Sequence, residues 1–501
     1  MKQDELKPSL KKNIVLSLLI QIVGYISPLI VSPYISRVLG PEQIGIYSFS
    51  YTYAHYFVLF VMFGFLNLGS KLISSYRTDF KKRNEIFWTL LAAKMLFALV
   101  AIAVYLIFIF CRLFKGVENY KLMFIFCIFI LSAGFDISFF FQGIEKLNFI
   151  SITTAIVNIW YVISIFLFVK TVDDLLIFTL LKTLSYSLIH VFLWSFVFGR
   201  MGKPTIDKKN FWNFIRLSFI FFLPTIVMSV SGSIDETLIG LLSTKTQVAY
   251  YEQVCKITTL LATIISAVSP VLLSRISLLI KENSEDTNKQ ISNLLAKGVL
   301  LSLVILTPLV TGLYIIGTIF VPLFFGSEFI GAIPVFMWLL PVASFSALSS
   351  VIISGYYYPF NKANVVTITI FITVLINVSL TALLLYFTDL GAVGAAIPSL
   401  VAEFINFVAL YIGARKKTNH LMILKDVWKV AISAIIMATS LILLNHFVFV
   451  PYISSDVLII VLDILIGGIL YSGSMIALKE MLTYDVIYNI KNKFIRNKQE
   501  Q

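Results

Sequence analysis

Residues 298–325 read GVLLSLVILTPLVTGLYIIGTIFVPLFF, with no Asp, Glu, Lys, Arg or His among them. Apolar and polar residues do not alternate, so the run does not fit a barrel strand, which is about ten alternating residues long. A helix rises 1.5 Å per residue, and about 20 apolar residues cross a hydrocarbon core about 30 Å thick. In lipid the backbone must satisfy its own hydrogen bonds, so this stretch reads as a membrane helix. The pattern recurs along the chain. Candidate spans begin near Asn13, Ile44, Ile86, Leu122, Phe149, Leu175, Leu217, Val248, Gly298, Ala332, Ala363, Gly391, Val427 and Val457, about fourteen in all. Only 13% of the 501 residues are charged and 59% are hydrophobic, with 44 Phe and a mean hydropathy of +0.93. A soluble domain carries about 25% charged residues, and one water-soluble core cannot hide this much apolar surface. The predicted fold class is all-α and polytopic. The longest polar stretch, Arg275 to Lys297, is expected to be a loop.

The net charge of +13 follows from sidedness rather than from nucleic-acid binding, because basic residues collect on the cytoplasmic side of membrane proteins. With the N-terminus inside, Lys and Arg recur in every second connection and in both tails. Only Arg37, Arg112, Lys115, Lys121, Lys170 and Lys245 fall on the other side. An even number of spans with both termini cytoplasmic is expected. Lys11 and Lys12 precede the first apolar run as in a signal peptide. That run is too long and lacks a small-residue cleavage site, so it is expected to be an uncleaved helix. Cys111, Cys127 and Cys255 show no paired metal-ligand spacing, so neither a disulfide framework nor a zinc site is expected.

Charges within spans are costly and mark candidate functional positions. Arg37 precedes Leu39-Gly40-Pro41-Glu42 at the outer end of the first span. It either snorkels or holds a phosphate through its planar fork of donors. Glu252 and Lys256 are four apart and share a helix face. They either neutralise each other, or Lys256 binds an anion while Glu252 responds to a coupling ion. Asp235 and Glu236 point to different sides of the seventh span, so they are not a matched pair. Asp136, Glu403, Lys94, Lys182 and Asp463 are expected to serve packing or structural pairing. His55 and His190 fit helix–helix hydrogen bonds. Tyr47, Tyr51, Tyr53, Tyr250 and Tyr251 are candidates to stack on sugars, against the alternative of ordinary interfacial aromatics. Pro28, Pro33, Pro224, Pro270 and Pro341 interrupt spans, as in helices lining transporter cavities. Gln43-Ile44-Gly45-Ile46-Tyr47 and Gln247-Val248-Ala249-Tyr250-Tyr251 form a faint repeat, each opening a span. No Walker A loop, His-Glu-x-x-His or Gly-x-Ser-x-Gly elbow is present, so catalysis is not expected.

Five segments carry a resemblance. They are Tyr34-Ile35-Ser36-Arg37-Val38-Leu39-Gly40-Pro41-Glu42; Asp136-Ile137-Ser138 with Phe140-Phe141-Gln142-Gly143; Ile234-Asp235 with Ala249-Tyr250-Tyr251-Glu252-Gln253; Leu323-Phe324-Phe325-Gly326; and Gly391-Ala392-Val393-Gly394 with Ala402-Glu403. Spread over most of the chain, they make it resemble the Wzx-type oligosaccharide flippases of the multidrug/oligosaccharidyl-lipid/polysaccharide exporter superfamily. The resemblance implies two six-helix lobes in a V, residues 1–210 and 211–415, and two extra helices with a cytoplasmic tail in 416–501. It implies an undecaprenyl-diphosphate-linked oligosaccharide moved from the inner to the outer leaflet of a bacterial plasma membrane by alternating access. The product would be cell-surface polysaccharide such as capsule or exopolysaccharide. Expected partners are that substrate, membrane lipid, a polysaccharide polymerase and glycosyltransferases, and no nucleic acid. No cofactor or metal is expected, with driving energy from Na+, H+ or the membrane potential. Substrate contacts then fall to Arg37, Lys256, Tyr47, Tyr250 and Tyr251, and ion coupling to Asp235 and Glu252. The family's cavity is often more cationic than Arg37 alone provides, which brings in the inner-end bases Lys71 and Arg216. The rival functions are an ion-coupled drug antiporter of the same superfamily, which usually stops near twelve spans, and a membrane polysaccharide polymerase or ligase, which carries a large outer loop. A non-transporting scaffold would need none of the embedded charges.

Overall fold

The computed structural model describes residues 10–199, 201–266, 268–282 and 286–480, leaving aside a few side chains, chiefly those of 10–26. Arg200 and the terminal segments whose cytoplasmic placement was expected lie outside the described residues. Among the described residues every regular element is helical, and twelve runs are long and apolar enough to cross a membrane. The protein is a multi-pass membrane protein.

Helix α1 (Leu10–Met62) is two helices joined at Gly40, whose φ of 72° and ψ of 170° are not helical. Pro41 disfavours helical geometry in the residue before it, and glycine alone takes this backbone without strain. The first two predicted spans therefore follow one another directly and meet at a break at Leu39-Gly40-Pro41. There follow α2 (Phe65–Ser75), α3 (Phe80–Phe110), α4 (Tyr120–Gly134), α5 (Ser138–Gly143), α6 (Leu147–Phe168), α7 (Leu175–Val197), α8 (Lys208–Leu242) and α9 (Lys245–Ser266). Next come α10 (Ser269–Glu282), α11 (Thr287–Phe325), α12 (Ile333–Ile352), α13 (Ala363–Phe387), α14 (Val393–Ala414), α15 (His420–Leu444), the one-turn α16 (Val450–Tyr452) and α17 (Asp456–Ala477).

The stretch expected to be a loop, Arg275 to Lys297, is mostly helical: α10 runs on to Glu282 and α11 starts at Thr287. The reason is amphipathicity. Ile276, Ile291 and Leu295 are buried at helical spacing in a core shared with Ala347, Val351 and Leu410. Polar residues on the remaining faces hid that stripe from a reading tuned to bilayer-length runs.

The chain groups into two compact units dividing between Glu252 and Gln253. In the first, the second half of α1 packs against α3, α4, α7 and α8. Asp207 caps α8 by accepting from the backbone N–H groups of Lys209 and Asn210. The Asn210 side-chain amide and these N–H groups hold its carboxyl below the usual carboxylate range. That cap is present above the unfolded carboxylate pKa and fades as pH falls through the lower folded value. In the second unit α12 and α14 pack together, and α15 and α17 lie on α11 around Met437, Leu441, Tyr471 and Met475.

One close approach ties α1 to the α8–α9 connection. A Cβ on Gly45 would sit 1.7 Å from the backbone oxygen of Lys245. The Lys245 ammonium donates to the Gly240 carbonyl at 2.7 Å and lies 3.5 Å from the centroid of the Phe49 ring. Gly45→Ala is expected to force these backbones apart and lower stability by about 1–3 kcal/mol, as overpacking does. Thermal unfolding in detergent checks this.

Candidate functional site

Three groups of polar side chains lie within the membrane-embedded helices of the first unit. The first is an ion pair. Lys94 of α3 is 1% exposed and Asp136, between α4 and α5, is 4% exposed. The Lys94 ammonium donates to the Asp136 backbone oxygen at 2.7 Å and to its carboxylate Oδ2 at 3.1 Å. The other carboxylate oxygen accepts from the Ser138 N–H at 2.9 Å and from the Ser138 hydroxyl. His190 Nδ1 lies 3.6 Å from the same oxygen. Asp136 thus fixes the start of α5 where the predicted fourth span breaks, which is the structural partnership expected for it. His190 also lines a groove of about 590 Å³ with Ser132, Phe135, Ser187 and Trp194. The groove's wall is almost wholly apolar, so it suits hydrocarbon and not a polar ligand.

The second group surrounds Lys182 of α7. Its ammonium lies 4.7 Å from the ring centroid of Tyr161 on α6 and 5.4 Å from that of Tyr186, one turn on. Glu252 of α9 is within electrostatic reach of Lys182, Tyr161, Tyr47 and Tyr51. Tyr51 lies near Tyr186 and stacks on Phe129, with ring centroids 5.5 Å apart. Tyr47 is buried, with its ring 4.8 Å from Phe178 and 5.9 Å from Tyr51. Four helices therefore converge on one cation faced by tyrosine rings, with one carboxylate nearby. A cation over tyrosine faces gains about 0.5–2 kcal/mol, more when desolvated. The arrangement keeps a positive charge in an apolar layer.

The third group joins α1, α8 and α9. The Tyr251 hydroxyl donates to Asp235 Oδ2 at 2.7 Å. Thr52 Oγ1 is 2.8 Å from Glu236 Oε2, and the Tyr56 hydroxyl is 2.7 Å from that of Thr237. Asp235 and Glu236 do point to different neighbours, and both are held within the protein.

Of the residues singled out in the sequence, Tyr47 and Glu252 meet around Lys182, and Tyr251 and Asp235 meet each other. Tyr250 is half-buried on α9. Lys256 reaches Gln253 Oε1 on its own helix at 3.4 Å. Arg37 is exposed, before the Gly40 bend. Lys182, Tyr161 and Tyr186 were not singled out as a site. Lys182 and Tyr186 do share a helix face at i, i+4 spacing, but no spacing links them to Tyr161 or Glu252.

Comparison with known proteins adds the following. The chain matches the family described as "Polysaccharide biosynthesis protein" over residues 10–278. It is similar to the "Putative O-antigen transporter" of Escherichia coli (strain K12), 25% identical over 276 residues, which are 54% of this chain and 66% of that protein. It is also similar to the "Putative O-antigen transporter" of Shigella dysenteriae, 28% identical over 169 residues, 33% of this chain and 41% of that one. The match therefore spans less than two thirds of either relative. Among solved structures, "Lipid II flippase MurJ, inward closed conformation" superposes with a TM-score of 0.70 at 16% identity, covering 95% of this chain and 99% of that one. An inward-facing multidrug resistance MATE family transporter of the MOP superfamily superposes with a TM-score of 0.62 at 12% identity, covering 81% and 98%. At these identities the likeness is one of fold.

Proposed function

We propose that this chain, which belongs to the polysaccharide biosynthesis protein family, is a flippase. Its cargo is a lipid-diphosphate-linked oligosaccharide, carried from the inner to the outer leaflet of a bacterial plasma membrane for export of cell-surface polysaccharide. The observation that carries this reading is the Lys182 ammonium lying over the Tyr161 and Tyr186 rings, with Glu252 in reach, inside the apolar helices. A diphosphate with sugars attached cannot cross hydrocarbon unaided. It needs a positive charge for the phosphates and flat apolar faces for the sugars, while its lipid tail stays in the bilayer.

In this reading Lys182 holds the diphosphate during passage, with Arg37 and Lys256 as further anion contacts. Tyr47, Tyr250 and Tyr251 join Tyr161 and Tyr186 in facing the sugars. Asp235 and Glu252 respond to Na+, H+ or the membrane potential. Residues 1–210 and 211–415 rock between inward- and outward-open states, with 416–501 appended and both termini cytoplasmic. A polysaccharide polymerase and glycosyltransferases act on either side of the step.

The test is ligand-induced stabilisation of the full chain in lipid nanodiscs. A lipid-diphosphate oligosaccharide at a hundredfold excess over its Kd is expected to stabilise the native protein by about 2.7 kcal/mol. Arg37→Ala and Lys256→Ala are expected to weaken this shift, and an amphipathic organic cation is expected to give none. Stabilisation by the organic cation and none by the lipid would instead identify a small-molecule antiporter.

A further inference from the structure

The last two membrane helices hold a buried carboxyl that the transport reading does not use. Asp463 lies in the middle of α17 and is 3% exposed. It faces Asn445, where α15 gives way to a single π-helical turn over Asn445–Phe449. Such turns often mark functional positions. The Asn445 amide Nδ2 donates to Asp463 Oδ2 at 3.0 Å. The other oxygen of each group, Asp463 Oδ1 and Asn445 Oδ1, is buried and has no hydrogen-bond partner among the described residues. Each of these oxygens is bonded to the same carbon as an atom of the bond already made.

Two buried acceptor oxygens without a donor are costly in an apolar layer, and among the described residues no hydrogen bond reaches either of them. Among the described residues no ion pair includes Asp463. From α11, the run 298–325 carries no charge. From α15, Asp426 and Lys429 pair with each other, and Lys429 donates to the Lys479 carbonyl, about four helical turns from Asn445. His446 follows Asn445 but is exposed, its ring against Phe447. On α17 itself, Asp456 is exposed in the first turn. A carboxylic acid, unlike a carboxylate, has one O–H to give. If Asp463 carries a proton, that O–H donates to the Asn445 oxygen while the Asn445 amide donates back, and both orphan oxygens are satisfied at once.

We propose that Asp463 and Asn445 form a proton-binding site in the C-terminal helix pair, where a neutral acid–amide ring fastens α17 to the π-turn of α15. The proton comes from the aqueous phase and no bond other than the O–H is made. Gly467, one turn further along, lets α17 approach Leu441 and Met437 of α15 closely. The ring is intact while Asp463 is neutral. When the proton leaves, a bare carboxylate faces the amide oxygen and the contact is repulsive. The site lies in the second compact unit and does not depend on the transport reading.

Infrared difference spectroscopy of the full chain in bilayers, native against Asp463→Asn, tests this at pH 7. The native protein is expected to show a protonated-carboxyl C=O band that shifts in deuterium oxide and is missing from D463N. Identical spectra in the acid region would overturn the proposal. Melting curves give a second reading. D463N, which can still pair amide to amide, is expected to melt within about a degree or two of native, since it replaces a neutral acid by a neutral amide of the same shape; a marked change in melting would show that Asp463 is charged in the native protein and overturn the proposal. Sodium at fixed pH is expected to leave the native curve unmoved. A sodium-dependent rise in native that D463N lacks would replace the proton with a metal cation and overturn the proposal.

Discussion

A chain carrying Lys182→Met is expected to lose translocation of a lipid-diphosphate oligosaccharide by about a hundredfold while remaining folded. Removing one partner of a desolvated, charged contact costs about 2–5 kcal/mol, and each 1.4 kcal/mol is a factor of ten. Methionine keeps the length and the packing against Tyr161 and Tyr186 but gives no charge to the phosphates. The competing explanation is that Lys182 only neutralises Glu252, which lies within its electrostatic reach. The double variant Lys182→Met/Glu252→Gln separates the two. If Lys182 binds cargo, the double variant is as slow as the single one. If Lys182 merely balances Glu252, removing both charges restores stabilisation of the protein by the lipid-diphosphate oligosaccharide, a readout that does not need ion coupling by Glu252, and the assignment of Lys182 to the substrate fails. Lys182→Arg is expected to keep part of the rate, since a guanidinium retains the charge and stacks on tyrosine but is broader and less mobile than an ammonium.

Lys94→Met is expected to be the most damaging single change to stability among the embedded charges, lowering it by about 3–5 kcal/mol. It leaves the Asp136 carboxylate buried with Ser138 and a histidine 3.6 Å away but without its ammonium. Asp136→Asn is expected to destabilise as well, leaving Lys94 with the backbone oxygen of residue 136 as its acceptor. The pair Lys94→Met/Asp136→Asn is expected to recover most of the loss. The asparagine oxygen still accepts from the Ser138 N–H, and no isolated charge remains. Thermal unfolding of the four proteins in the same detergent measures this. Additive losses in the double variant would show that the two charges act separately. The same comparison bears on transport: a double variant that folds and still moves cargo places this pair in the scaffold, at the break between α4 and α5.

The spans were legible because lipid imposes a one-dimensional rule: enough consecutive apolar residues to cross a layer of fixed thickness. Residues 298–325 obey it without exception. The same rule misread Arg275 to Lys297, because helical hydrogen bonding does not stop at the membrane surface, and Ile276, Ile291 and Leu295 continue a buried stripe beyond it. It also passed over the break at Asp136, where a short polar step lies inside an apolar run and is secured by Lys94, 42 residues earlier. The bend at Gly40 was legible in outline, since Gly-Pro in a long apolar run leaves few backbone options. The candidate site was read less fully. Asp235, Glu252 and the tyrosines of α1 and α9 stand out as polar residues in apolar helices. Lys182 does too, but its meaning depends on Tyr161 and Glu252 approaching from other helices. Contacts across that sequence distance are decided by packing, which one sequence does not display. Asp463 is a similar case. A single acid in the last helix suggests a partner, yet only the π-turn that carries Asn445 shows which one and what it leaves unsatisfied.

The measurement that bears most directly on the account is translocation by the native chain reconstituted into proteoliposomes. A lipid-diphosphate-linked oligosaccharide would be placed in one leaflet, and the sugar's accessibility on the other followed over time. A membrane potential and Na+ and H+ gradients would be imposed in turn, with several sugar heads. The account predicts that sugar reaches the far leaflet faster than in protein-free vesicles, and that at least one imposed gradient changes the rate. A correctly folded protein that moves none of the lipid-linked sugars under any gradient, yet exchanges a small organic cation for Na+ or H+, would contradict it.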